Sequence, residues 1–140
     1  MNESYLAKEW SVLQNQYDSY EKFSLVIKLF SIGLISFSYF LHHMGLLTLL
    51  LLLVLWLQDA IWKTFQSRIN LRILEVERGL AENSGDGGPG IKAFQYNRDY
   101  AFTRPGFFGL IREYLKHAFR PTIAYPHALL VGLMVLYFLN

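Results

Sequence analysis

The chain has 140 residues, a formal net charge of +2 and no cysteine. That length fits one domain, so small a charge makes no argument for nucleic acid, and the missing cysteine excludes disulfides, thiolate catalysis and cysteine metal sites. Hydrophobic residues make up 53% of the chain and gather in three runs, the pattern of a membrane protein.

Residues 1–10 carry no basic stretch, no short apolar core and no small-residue cleavage site. A removable signal peptide is therefore not expected, and the first span itself starts insertion. That span runs from about Phe23 to Leu41, with one charge, Lys28, near its start. The second runs from about Met44 to Trp62 and holds the leucine-rich stretch 46–55. The third, about 122–139, is short; it needs residues upstream of Tyr125 to approach the ~20 that a bilayer core requires.

The turn between spans one and two is His42-His43-Met44-Gly45, without Lys or Arg. The segment after span two is rich in both, from Lys63 to Arg120. The positive-inside rule puts that segment in the cytoplasm, with the N-terminus inside and the C-terminus outside. Trp56 and Trp62 suit an interfacial belt at the inner end of span two. The expected location is a plasma membrane, as in the bacterial inner membrane, with multiple passes.

The polar flanks of the first two spans continue as helix. Leu6, Trp10, Leu13, Tyr17, Tyr20, Ser24, Ile27, Ser31, Leu34, Ser38 and Leu41 alternate in steps of four and three, a heptad seam. After span two, Trp62, Ile69, Ile73, Val76 and Leu80 share a face with Phe65 beside them, and Arg68, Arg72, Glu75 and Arg78 lie mostly elsewhere. Asn83 and Gly85 supply a stop. A turn this short makes the two stretches antiparallel neighbours in which facing positions sum to about 86. Leu6 then faces Leu80, Trp10 faces Val76, Leu13 faces Ile73, Tyr17 faces Ile69 and Ser24 faces Trp62. Each arm is about 60 Å long, with roughly half of that in the cytoplasm.

The same register sets Asp18 level with Arg68, and Lys28 level with Gln58 and Asp59. A lone lysine in a span costs a few kcal/mol, which a carboxylate at that depth partly offsets. The plainer reading has Lys28 snorkelling to the interface and Asp59 solvated there. Ser24, Ser31 and Ser38 recur every seven residues, a helix-packing face that serves the hairpin partner or self-association.

Residues 82–90, Glu-Asn-Ser-Gly-Asp-Gly-Gly-Pro-Gly, read as a flexible connector and lack the Gly-Lys-Ser/Thr ending of a phosphate-binding loop. The stretch from 83 to 106 is expected to be a Gly-rich and aromatic cytoplasmic loop. Its later part, 91–106, is expected to pack on the hairpin or the membrane surface. Residues 107–119 form an amphipathic helix expected in the inner headgroup layer. Arg104, Arg112, Lys116 and Arg120 then meet anionic headgroups, or simply satisfy positive-inside topology.

Little suggests chemistry. His42 and His43 project about 100° apart on a helix and read as turn residues. His117 and His127 lie on the opposite side of the membrane from them, so no haem is clamped between the two groups. No HExxH, paired-carboxylate or GxSxG motif occurs. The expected fold is an all-α integral membrane protein with three transmembrane helices, the first two a long hairpin, and an interfacial helix before the third. No catalytic, cofactor or metal site is expected, and no nucleic-acid partner. The expected partners are the lipid bilayer and either copies of the chain or another membrane subunit. The leading function is a membrane scaffold or accessory subunit. A homo-oligomeric channel or pore-forming effector lined by the serines is the alternative. An enzyme acting on lipid phosphate, using Asp59, His117 and His127, is third.

Overall fold

A computed structural model of the protein describes residues 2–83 and 92–140. It contains five helices and, among the described residues, no strand: α1 (Asn2–Phe40), α2 (Leu46–Asn83), α3 (Tyr96–Thr103), α4 (Phe107–Ala118) and α5 (Pro121–Leu139). Three of them, α1, α2 and α5, are long and apolar enough to cross a membrane. Most of the expected 82–90 connector falls outside the described residues.

α1 ends because His42 takes a left-handed conformation, φ 54°. The following N–H, of His43, then reaches back to the Ser38 carbonyl at 3.0 Å, satisfying an acceptor that the helix end leaves open. The chain turns over residues 41–45, and α2 runs back beside α1. Cross-contacts lie along the whole length, from Thr48 with Ser38 near the turn to Trp10 with Glu77 at the far end.

Packing divides the molecule into three levels. Near the turn, Ile35 and Leu52 form an apolar cluster with Leu130 and Met134 of α5. Around it lies a belt of exposed apolar side chains, including Val26, Phe30, Phe37, Leu47, Val54, Leu133 and Leu136. Water penalises such a belt and lipid does not. Far from the turn, Leu6, Leu13, Ile69, Ile73 and Val76 form a second apolar cluster. Between the two levels the interior is polar: Ser24, Asp59, Thr64 and His127 are all buried.

The seam departs from strict heptads at both ends. Glu9, not Trp10, points inward, while Trp10 sits at the rim, 36% exposed, and donates its indole N–H to Glu77 at 2.9 Å. Ile35 is the buried residue where Leu34 was expected, and Leu41 is exposed. A straight helix repeats every 3.6 residues and drifts away from a 3.5-residue seam. Arg72, expected off the apolar face, is buried because it meets the inward-pointing Glu9.

The expected loop before α4 contains helix α3, which docks on the far end of the hairpin. Glu9 accepts the Phe94 N–H at 2.7 Å, Arg68 donates to the Tyr100 hydroxyl at 2.9 Å, and Tyr5 meets Phe94 edge-on. Its helical character is hard to read from Tyr96–Thr103 because the segment buries no residue, so no apolar stripe marks it. α4 follows a tight bend at Pro105. A Cβ on Gly109 would lie 2.8 Å from the Pro105 Cβ, so this close approach requires glycine.

Candidate functional site

α5 is interrupted near its start. Tyr125 leaves helical geometry, with ψ 131°. The next residue is Pro126, which has no N–H. In an unbroken helix that N–H would bond the carbonyl four residues back, at Thr122. Lys28 takes its place, and its Nζ donates to the Thr122 carbonyl oxygen at 3.0 Å. A lysine of α1 thus fills the gap that a proline opens in α5, which is one way a broken helix is tolerated among spans.

Lys28 Nζ also lies 3.9 Å from Asp59 Oδ2. The two Asp59 oxygens have different surroundings. Oδ1 accepts a hydrogen bond from the Ser24 hydroxyl at 2.5 Å. Oδ2 faces Lys28 and also His127 Nε2, 3.4 Å away, and has no hydrogen-bond partner among the described residues. Asp59 and His127 are both 0% exposed. The His127 ring is stacked on Trp56 with centroids 6.2 Å apart, and the Trp56 indole donates to the Ala118 carbonyl at 3.1 Å. One carboxylate therefore ties together α1, α2 and α5, and the tryptophan beside it reaches α4.

This arrangement favours charge compensation over nucleophilic attack. An activated serine passes its proton to a base that a third group orients. Here Ser24 donates directly to the carboxylate, and the imidazole stands at the other oxygen. Below this cluster, Lys63 donates to Glu21 and to Gln66 Oε1 at 2.8 Å, joining α1 to α2 again.

A second network lies at the far end of the hairpin. Arg72 donates to Glu9 at 2.9 Å, to Glu75 at 3.2 Å, to Asp99 at 3.5 Å and to the Lys92 carbonyl at 3.0 Å. Arg68 donates to Glu113 of α4 at 2.6 Å. Beside these two arginines is a cavity of about 480 Å³ also lined by Tyr96, Asp99, Tyr100 and Arg104.

Asp18 and Arg68, expected level with each other, are not brought together. Asp18 is exposed and accepts from Gln14 on its own helix at 3.3 Å, whereas Arg68 turns to α4. Equal height along a hairpin does not fix which way each helix face points. Ser24, Ser31 and Ser38 are all buried within the single chain. Ser31 bonds back to the Ile27 carbonyl at 2.9 Å, and Ser38 accepts from Thr48 at 3.5 Å. Arg104, Arg112, Lys116 and Arg120 are exposed. Among the described residues no group of three or more His, Asp or Glu side chains is arranged to hold a metal.

No family model, curated protein or solved structure matches this chain. The site therefore rests on its own geometry. The Lys28–Thr122 bond, the Ser24–Asp59 bond, the Glu9–Arg72 pair and the Arg68–Glu113 pair are absent from the seam-and-register reading of the sequence. One of them had a visible signal: Pro126 stands four residues after Thr122, which marks that carbonyl as lacking its usual donor.

His117 provides a pH-dependent handle. Burial, and next the neighbouring Arg120, hold its imidazole below the ordinary value of 6.5. The folded state therefore prefers the neutral ring. Its contribution to stability is complete above 6.5 and is lost as pH falls through the lowered folded value. Thermal unfolding in detergent should decline between about pH 7.5 and about pH 5.5 more steeply for the parent chain than for His117→Gln. Parallel profiles would show that this ring is not linked to folding.

Proposed function

We propose that the protein is a small membrane scaffold or accessory subunit that carries a helical stalk on the cytoplasmic side. In this reading the apolar belt of α1, α2 and α5 lies in the bilayer. The far half of the hairpin, with α3 docked on it, stands in the cytoplasm, and the C-terminus is outside, following the lysine and arginine bias. α4 lies in the inner headgroup layer. The exposure of Phe107, Phe108, Ile111, Leu115 and Phe119 suits that place, because apolar side chains on one helix face are stabilised by the acyl boundary.

The observation that carries the scaffold reading is what the stalk leaves uncovered. Its interior is closed by ion pairs and an apolar cluster, yet Val12, Leu71, Leu74 and Phe102 stay exposed away from the belt. Leu71 and Leu74 are three residues apart on α2 and so lie on neighbouring positions of its surface. Exposed apolar surface outside a bilayer marks a place for another protein, either a second copy or a partner subunit.

A photo-crosslinking amino acid at Leu71 or Leu74 tests this in cells. The expected result is an adduct of discrete mass at those positions and none at Val26 in the belt. A correctly inserted chain that gives no protein adduct at either stalk position would overturn the reading. A pore lined by the serine stripe would need Ser24, Ser31 and Ser38 to leave their contacts inside the chain.

A further inference from the structure

Where α2, α4 and α5 converge, a cleft of about 160 Å³ has a mainly polar lining. Lys63, Gln66, Ser67 and Asn70 come from one face of α2, spaced three and four residues apart. His117 comes from the end of α4, and Arg120 from the link to α5. The cleft is level with the first residues of α5, since Thr122 and Ile123 also border it.

Three observations point to an anion. The His117 ring is 4% exposed, borders the cleft, and its Nδ1 has no hydrogen-bond partner among the described residues. A buried polar atom without a partner is destabilising, so a ligand that takes its hydrogen bond is favoured. Arg120 has no carboxylate partner among the described residues. Lys63, in contrast, is already paired with Glu21, so the uncompensated charge in the cleft is that of Arg120. Third, Arg120, Lys116 and Arg68 lie close enough to act on His117 as positive charges, with Glu113 opposing them.

We infer that this cleft binds the phosphate group of an anionic phospholipid, with Arg120 as its cation and His117 Nδ1 and the Ser67 hydroxyl as hydrogen-bond donors. The volume suits a phosphate with the first atoms of its esters and is too small for a nucleotide. Its level at the foot of an apolar helix is the depth at which lipid phosphates are concentrated. The inference rests on α5 being a membrane span and is independent of the scaffold reading.

The test uses the full chain in maltoside micelles with its histidines labelled with nitrogen-15. Phosphatidylglycerol, phosphatidylcholine and inorganic phosphate are titrated separately while the ring signals are followed. Phosphatidylglycerol should shift the His117 signal saturably at about one lipid per chain, leaving His42 and His43 still. Arg120→Gln should weaken that midpoint by about tenfold, and Ser67→Leu, which fills the cleft, should abolish the response. Lys116→Gln, outside the cleft lining, should leave the midpoint nearly unchanged. An unshifted signal from His127, whose ring is buried and stacked on Trp56, reports an intact fold in each variant. No His117 response, or equal weakening by Arg120→Gln and Lys116→Gln, would overturn the site. Saturation by inorganic phosphate as readily as by phosphatidylglycerol would overturn the lipid as its ligand.

Discussion

Asp59→Ala should destabilise the protein by about 3 kcal/mol, the scale for removing one partner from a buried ion pair. The substitution deprives Ser24 of its acceptor and Lys28 of its nearby negative charge, and both changes fall in the buried polar level. Among the described residues, Lys28 would keep only the Thr122 carbonyl. Adding Lys28→Met to Asp59→Ala removes the uncompensated charge as well and should restore part of the loss, the remainder reflecting the Thr122 carbonyl and the Ser24 hydroxyl left without partners. Asp59→Asn keeps an acceptor for Ser24 and should fall between the parent and the alanine variant. Unfolding in detergent, followed by tryptophan fluorescence, measures these four chains and Lys28→Met alone. Additive effects of the two single changes would mean that Lys28 and Asp59 are not coupled.

Arg72→Met should be nearly as severe, about 3 kcal/mol or more, but its effect should begin elsewhere. It leaves the Glu9 carboxylate, 3% exposed, with only the Phe94 N–H as a donor among the described residues. The Lys92 carbonyl and Asp99 lose their link to α2 at the same time. α3 should therefore loosen before the hairpin does. Limited proteolysis should cut residues 92–103 faster in Arg72→Met, while fluorescence from Trp56 and Trp62, read in a Trp10→Phe background, stays native. Glu9→Leu in the Arg72→Met background should recover much of the global stability but not the protection of α3. Loss of both signals together would show that the two levels unfold as one unit.

The sequence displays the apolar runs plainly, and the three long helices follow from them. A bilayer needs an unbroken length of apolar side chains, and that is a one-dimensional property. The antiparallel pairing of α1 and α2 is legible for a related reason, since a five-residue turn leaves few other paths. What sequence periodicity conceals is rotation about each helix. Glu9 and Trp10 are neighbours in a seam that admits only one of them inward, and the choice depends on Arg72, 63 residues away. His127 is similar. A histidine after a proline at a span's start reads as interfacial, and only the break at Tyr125 and the stack on Trp56 explain its burial. The polar network at Asp59 is likewise assembled from positions 24, 28, 59 and 127, whose relation no local spacing encodes.

The bond from Lys28 to Thr122 joins residues 94 positions apart, and during synthesis that separation becomes a delay. At ordinary translation speeds the carbonyl emerges about 5 to 20 s after the lysine. Through that interval the first two helices hold an ammonium group whose nearest counter-charge is Asp59, with the face for α5 still open. The hairpin before α5 arrives differs from the finished protein at one contact, since Lys28 has Asp59 beside it but not yet the Thr122 carbonyl.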